Sequence, residues 1–254
     1  MPTSYTFVLI PGLWHGAWSW LPVSRRLHDA VHDAVALTMP GMDGTASPQT
    51  GPDDAVNFVV DQIERRDLQR VVLVGHSWGG YIVTAAARQL AERVSARIYV
   101  NAFVPLDGGP AYDLNPEACD ALLTRPDLCS DGMLRFGLAE VQHMLLPDAT
   151  PELQTFVSEL LVPAPTSFLT SPVTDAYERG LDIPAAYVLS EDDNVLIRPG
   201  VEMAERLGVQ PIMAGRGHAS PLTYPDEIAT AVLDAVALLL DGTALPRAAA
   251  PTSA

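Results

Sequence analysis

Apolar residues along the chain follow two rhythms that alternate. Short unbroken runs such as "YTFVLIP" and "RVVLVG" have the length and β-branched content of strands buried on both faces. Between them, "AWSWLPVSRRLHDA" and "PDDAVNFVVDQIERR" repeat apolar positions every three or four residues, as helices with one buried stripe do. With strand "DAVALTMP", a helix from Trp78 and strand "ARIYVNAFV", residues 1–104 alternate strand and helix. That alternation predicts a parallel sheet with helices on both faces.

After Val104 the rhythm breaks. Residues 105–182 are rich in proline and carry short amphipathic pieces, "GLAEVQHMLL" and "ELQTFVSELL", with no evident strand, which predicts a helical lid inserted over one end of the sheet. Strand "AAYVLS", helix "GVEMAERLG", strand "QPIMA" and helix "DEIATAVLDAVALLL" then resume the alternation, so the core is predicted over 1–104 and 183–240. The tail, 241–254, rich in Gly, Pro and Ala, is expected to be disordered. No internal repeat is evident.

At 254 residues and 48% hydrophobic content the chain suffices for one large α/β domain with an insertion. Thirty-one acidic against 15 basic residues, a formal charge of −16, argue against nucleic acid or an anionic membrane as partner. The chain has no lysine, which excludes Schiff-base and lysine general-base chemistry. "MPTSYTFVLIPG" lacks a basic leader and no apolar run approaches the roughly 20 residues that span a bilayer, so a cytoplasmic protein is expected. Cys119 and Cys129 are expected as free thiols, and they lack the further ligands of a zinc site.

The first candidate chemistry lies in "VVLVGHSWGG". A buried strand runs into Gly-His-Ser-Trp-Gly and then a helix, the setting of a nucleophile elbow, in which a strained turn presents Ser77 while Gly75 and Gly79 let the chains cross. A serine needs a base and an orienting acid, and on a parallel sheet these emerge at the carboxyl ends of strands. "YVLSEDDNV" offers Asp193 and "PIMAGRGHASP" offers His218. Asp192 and Asp107, in "FVPLDGG", are the rival acids. Among the other histidines, His28 and His32 read as solvated, His143 as a lid residue, and His76 as a packing residue on the far side of the sheet. An oxyanion hole needs two backbone N–H groups, one from Trp78 and one from Leu13 in "IPGLWHGAWSW", where Gly12 permits the tight turn.

Taken with "MPGMDG", "LSEDDNVL" and "GHASPLTYPDEIA", these segments resemble, along nearly the whole chain, the α/β-hydrolase branch of plant methylesterases, hydroxynitrile lyases and bacterial carboxylesterases. The resemblance implies a mainly parallel six-stranded sheet, Ser77 as nucleophile, His218 as base and then acid, Asp193 as orienter, and Leu13 and Trp78 as oxyanion-hole donors. The order Ser, Asp, His is that of this fold. Many members have His where this chain has Pro11. The lyases carry threonine and lysine where this chain has Gly12 and Ala219, so ester hydrolysis is the better inference.

Neither metal nor cofactor is required by that chemistry. Gly12, Trp14, Phe103 and Met144 are the candidate substrate contacts, for an apolar ester of small to medium size. A C–C bond hydrolase, lyase or cyclase using the same residues, and a non-catalytic receptor, stay open as alternatives. Oligomeric state is not legible.

Overall fold

Strand residues of the core send alternate side chains to opposite faces, and the buried residues accordingly fall into two clusters separated by the sheet. The computed structural model describes residues 4–45, 47–196, 198–240 and 242. Its strands are β1 (Thr6–Ile10), β2 (Asp33–Ala36), β3 (Val71–His76), β4 (Val94–Val100), β5 (Cys129–Ser130), β6 (Met133–Leu134), β7 (Ala164–Pro165), β8 (Ala185–Glu191) and β9 (Ile212–Arg216). Six form the main sheet in the order β2-β1-β3-β4-β8-β9, every neighbour parallel.

The helices are α1 (Leu21–Asp29), α2 (Pro52–Arg65), α3 (Gly79–Gln89), α4 (Pro116–Leu123), α5 (Leu138–Glu140), α6 (Pro151–Leu160), α7 (Ser167–Thr170), α8 (Gly200–Arg206), α9 (Ser220–Thr223) and α10 (Pro225–Leu240). On one face, Val72, Val74, Ile98 and Val100 meet Trp20, Val23 and Leu27 at α1 and Ile228, Val232 and Val236 of α10. On the other, Val71, Leu73 and Tyr99 meet α2, α3, α8 and the segment between β4 and β8. Each fully buried Leu, Ile or Val contributes roughly 1.5–3 kcal/mol.

Local chemistry sets several ends. Pro52 opens α2, and Asp54 accepts the Gly51 N–H at 2.8 Å, so the first turn is capped. The predicted strand "ARIYVNAFV" stops early, at Val100, because Asn101 turns into the left-handed region at φ 46°. The first predicted helix is in two parts, a 3₁₀ turn (Ala17–Trp20) and α1.

The expectation of a purely helical insertion is corrected. Between β4 and β8 the chain also forms a three-stranded antiparallel sheet, β5-β6-β7, whose two-residue strands are too short to show a period of two in the sequence. Two core arginines bind the returning end of this segment. Arg88 donates to the carbonyls of Tyr177 and Arg179, both at 2.8 Å, and Arg97 pairs with Glu178 at 2.7 Å. Except for Gly242, the tail expected to be disordered lies outside the described residues. Among the described residues no helix is long and apolar enough to cross a membrane.

Candidate active site

Three adjacent strands end in strained residues, and the candidate site sits where they do. Trp14 after β1, Ser77 after β3 and Asn101 after β4 have φ of 67°, 54° and 46°, a region that costs most for bulky side chains. The elbow tolerates this because three backbones nearly touch around it. A Cβ on Gly79 would lie 2.8 Å from the Pro11 carbonyl oxygen, and one on Gly80 would lie 2.0 Å from that of Phe103. Gly75, the other predicted crossing point, meets Gly79 in the same way, at 2.8 Å.

Ser77 is held by its backbone, and among the described residues its hydroxyl has no hydrogen-bond partner. Its N–H donates to the Asn101 carbonyl at 3.1 Å, and its carbonyl accepts from Gly80 and Phe103 at 3.1 and 3.0 Å. The first loop lies against its side chain, since a Cβ on Gly12 would come 2.8 Å from Ser77 Cβ and 3.4 Å from Oγ. Among the described residues, neither the Leu13 nor the Trp78 main-chain N–H donates to a protein acceptor.

His218 and Asp193 meet directly. Nδ1 of His218 lies 3.0 Å from both carboxylate oxygens of Asp193, and the side chains are 3% and 1% exposed. Burial acts to raise the Asp193 pKa. The charge and hydrogen bond of His218, with the N–H groups of Val195 and Leu196, outweigh it and hold the carboxyl below its usual value. An ionised Asp193 keeps the Nδ1 proton on His218 and leaves Nε2 as the basic atom. Of the rival acids, Asp192 and Asp107 are exposed, and neither is paired with His218.

Two further histidines surround this pair. His76 projects to the α1–α10 face as predicted, edge-on to Trp20, but it does more than pack. Its Nε2 lies 2.9 Å from the His218 carbonyl oxygen, and the two rings are 4.7 Å apart. A carbonyl only accepts, so Nε2 carries the proton. Burial first, then the neighbouring His218 and His15, hold His76 well below the usual imidazole range, and it stays neutral. His15 donates from Nδ1 to the Leu13 carbonyl at 2.7 Å, and burial pushes its pKa down to about 4. His28 and His143 are exposed, whereas His32, predicted as solvated, is half-buried and accepts the Tyr5 N–H at 3.3 Å.

A pocket of about 50 Å³ opens on Ser77. Leu13, Trp14, Phe103 and Met144 line it, the last on a π-helical turn (Val141–Leu145) that follows α5. Gly12 abuts Ser77 without lining the pocket, and Trp78 is wholly buried beside it. Cys119, Leu122, Phe136, Leu169 and Val195 complete the wall; none was named as a substrate contact from the sequence, because each reaches the pocket from a distant segment. No lining residue is charged.

Asn101 also escaped the sequence reading. It is fully buried, its Nδ2 lies within 3.0–3.3 Å of Ser190 Oγ, Gly217 O, His218 O and Ser220 Oγ, and its Oδ1 accepts the Ser190 N–H at 2.8 Å. A lone amide closing the run "IYV" was the available signal. Among the described residues no group of three or more His, Cys, Asp or Glu side chains is placed to hold a metal ion.

The parallel sheet and the strand-end geometry define an α/β-hydrolase fold. Residues 7–231 match the alpha/beta hydrolase family, and the chain belongs to it. A carbendazim hydrolyzing esterase of Nocardioides sp. (strain SG-4G) is 34% identical over 116 residues, 44% of this chain and 48% of that protein, so the match spans about half of that relative's length. Methylesterase 2 of Arabidopsis thaliana is 26% identical over 208 residues, covering 75% of this chain and 79% of its own. Among solved structures, an extracellular alpha/beta-hydrolase from a Paenibacillus species superposes with a TM-score of 0.82 at 23% identity, over 91% of this chain and 98% of that one. That structure is described as sharing structural and functional homology with tobacco salicylic acid binding protein 2.

Proposed function

We propose that this protein is a serine hydrolase that cleaves small, uncharged, apolar carboxylic esters. The observation that carries the reading is the buried Asp193–His218 pair, Nδ1 at 3.0 Å from both oxygens, together with a serine at positive φ that lines an uncharged pocket. The esterase names of the relatives support the same reaction class.

In the proposed cycle, Ser77 Oγ bonds to the ester carbonyl carbon as its proton passes to Nε2 of His218, and the carbonyl π pair moves onto oxygen. The N–H groups of Leu13 and Trp78 receive that oxyanion. Collapse re-forms the carbonyl and breaks the bond to the alkoxy group, which leaves as the alcohol with the proton from His218. Water then repeats the sequence on the acyl-enzyme, releasing the acid and restoring Ser77. Asp193 stabilises the imidazolium at each stage.

The wall chemistry supports the substrate class. A carboxylate or ammonium entering a pocket without a charged partner would lose hydration and regain nothing. Residues 105–182 act in this reading as a lid, since Phe136, Met144 and Leu169 close the pocket from that segment. Free thiols at Cys119 and Cys129 agree with a reducing, cytoplasmic setting. The acidic balance disfavours nucleic acid and anionic membranes as partners.

The test is a panel of p-nitrophenyl esters against wild type, Ser77→Ala and Asp193→Asn. Hydrolysis by wild type that drops by at least about 10³-fold in Ser77→Ala and by roughly 10³–10⁴-fold in Asp193→Asn is expected. Full activity in Ser77→Ala rejects the proposal.

A further inference from the structure

Both sides of the proposed oxyanion hole are gripped by the same device. Trp14 follows the Leu13 donor, its indole N–H donates to the Leu134 carbonyl at 3.1 Å, and its ring stacks on Phe136 at 3.7 Å and 14°. Trp78 carries the other donor, its indole N–H donates to the Phe168 carbonyl at 2.7 Å, and its ring stacks on Phe168 itself at 4.5 Å and 10°. Leu134, Phe136 and Phe168 all belong to the segment between β4 and β8. A third tie joins the Trp14 carbonyl to the Val162 N–H at 3.1 Å, again from that segment.

These ties coincide with strain. A tryptophan at φ 67° persists only where its surroundings over-determine it, and the contacts that do so come from the insertion rather than from the core strands. Ser77, next to Trp78, is at φ 54°, held by the chain crossing at the elbow glycines. Rotation of the peptide that carries either donor would move its N–H away from the developing oxyanion, and misplacement by about an ångström is enough to cost on the order of 10²-fold.

We infer that Trp14 and Trp78 are positioning residues, and that the insertion sets the two oxyanion-hole N–H groups through matched indole–carbonyl and indole–phenyl clamps. The insertion therefore acts on the transition state, not only on access to the pocket. This rests on the esterase reading above.

The test uses Trp14→Phe and Trp78→Phe, which remove the indole N–H but keep an aromatic ring, and Phe136→Leu and Phe168→Leu, which remove the stack. The readouts are kcat and KM for p-nitrophenyl butyrate, and affinities for a short alkyl trifluoromethyl ketone and its methyl ketone counterpart. The trifluoromethyl ketone adds Ser77 and places an oxyanion in the hole, whereas the methyl ketone reports ground-state filling of the pocket.

Trp78→Phe and Phe168→Leu, which lie outside the pocket wall, are expected to lose roughly 10–100-fold in kcat and a matching factor in trifluoromethyl ketone affinity, with KM and methyl ketone affinity within about twofold of wild type; Trp14→Phe and Phe136→Leu, which also line the pocket, are expected to weaken trifluoromethyl ketone binding at least about tenfold more than methyl ketone binding. Retained methyl ketone binding also shows that a variant is folded. Unchanged kcat, or equal weakening of both ketones, overturns the clamp role alone and leaves the esterase reading standing. Wild type that hydrolyses no ester and binds both ketones equally overturns the esterase reading and the clamp role with it.

Discussion

Asn101 lies within 3.1 Å of the His218 main-chain oxygen although the two residues are 117 positions apart. Through the same side chain it meets Ser190 and Ser220, and through its own carbonyl it receives the Ser77 N–H. One amide thus joins the elbow, the strand that leads to Asp193 and the loop that carries His218.

Replacing Asn101 by Leu should therefore damage fold and activity together. The Gly217 oxygen and the Ser190 N–H lose the Asn101 amide, the His218 oxygen keeps only His76, and a branched side chain must adopt φ 46°. A loss of about 2–4 kcal/mol is expected by urea unfolding, with a fall in kcat beside it; Asn101→Asp keeps the shape but sets an accepting oxygen against the Gly217 and His218 carbonyls, and a comparable fall in kcat is expected.

The Arg97–Glu178 pair is an asymmetric target. With side chains 3% and 12% exposed and Nη1 2.7 Å from Oε1, removal of either partner strands a charge away from water. Glu178→Leu should cost about 3–5 kcal/mol, while the double variant Arg97→Leu/Glu178→Leu should recover much of that loss, as read by denaturant midpoints.

Acid sensitivity follows from the buried histidines. In the unfolded chain His15 binds a proton near pH 6.5, but folded it does so only at about 4, so unfolding takes up a proton between these values. Its contribution is fully present above pH 6.5 and is lost as the pH falls to 4, by roughly 3 kcal/mol. His76 acts in the same direction. Stability of wild type should drop across this window, and that of His15→Gln should drop less, when urea unfolding is compared at each end.

Gly12→Ala tests the close approach of the first loop to the nucleophile. The new methyl would lie 2.8 Å from Ser77 Cβ and 3.1 Å from His76 Nδ1, so loop or serine must shift. A fall of at least about tenfold in kcat/KM is expected, with a melting temperature changed by only a few degrees.

Much of this arrangement was legible because it is encoded locally. The run into Gly75, the small residues around Ser77, and the strand-end positions of Asp193 and His218 are features of contiguous segments and of strand order. Contacts that cross the chain were not. The Trp14–Leu134 bond joins residues 120 apart, and no periodicity in either segment announces it. The two-residue strands β5, β6 and β7 are likewise too short to leave a pattern. His76 was placed on the correct face, but its bond to the His218 carbonyl depends on where a distant loop returns.

The central claim is that Ser77 is an activated nucleophile. Intact-mass spectrometry after incubation with a fluorophosphonate, on wild type, Ser77→Ala and His218→Ala, tests it most directly. A single covalent adduct on wild type that is absent from both variants is the expected result. An adduct that persists in Ser77→Ala, or none on folded wild type, would contradict the claim.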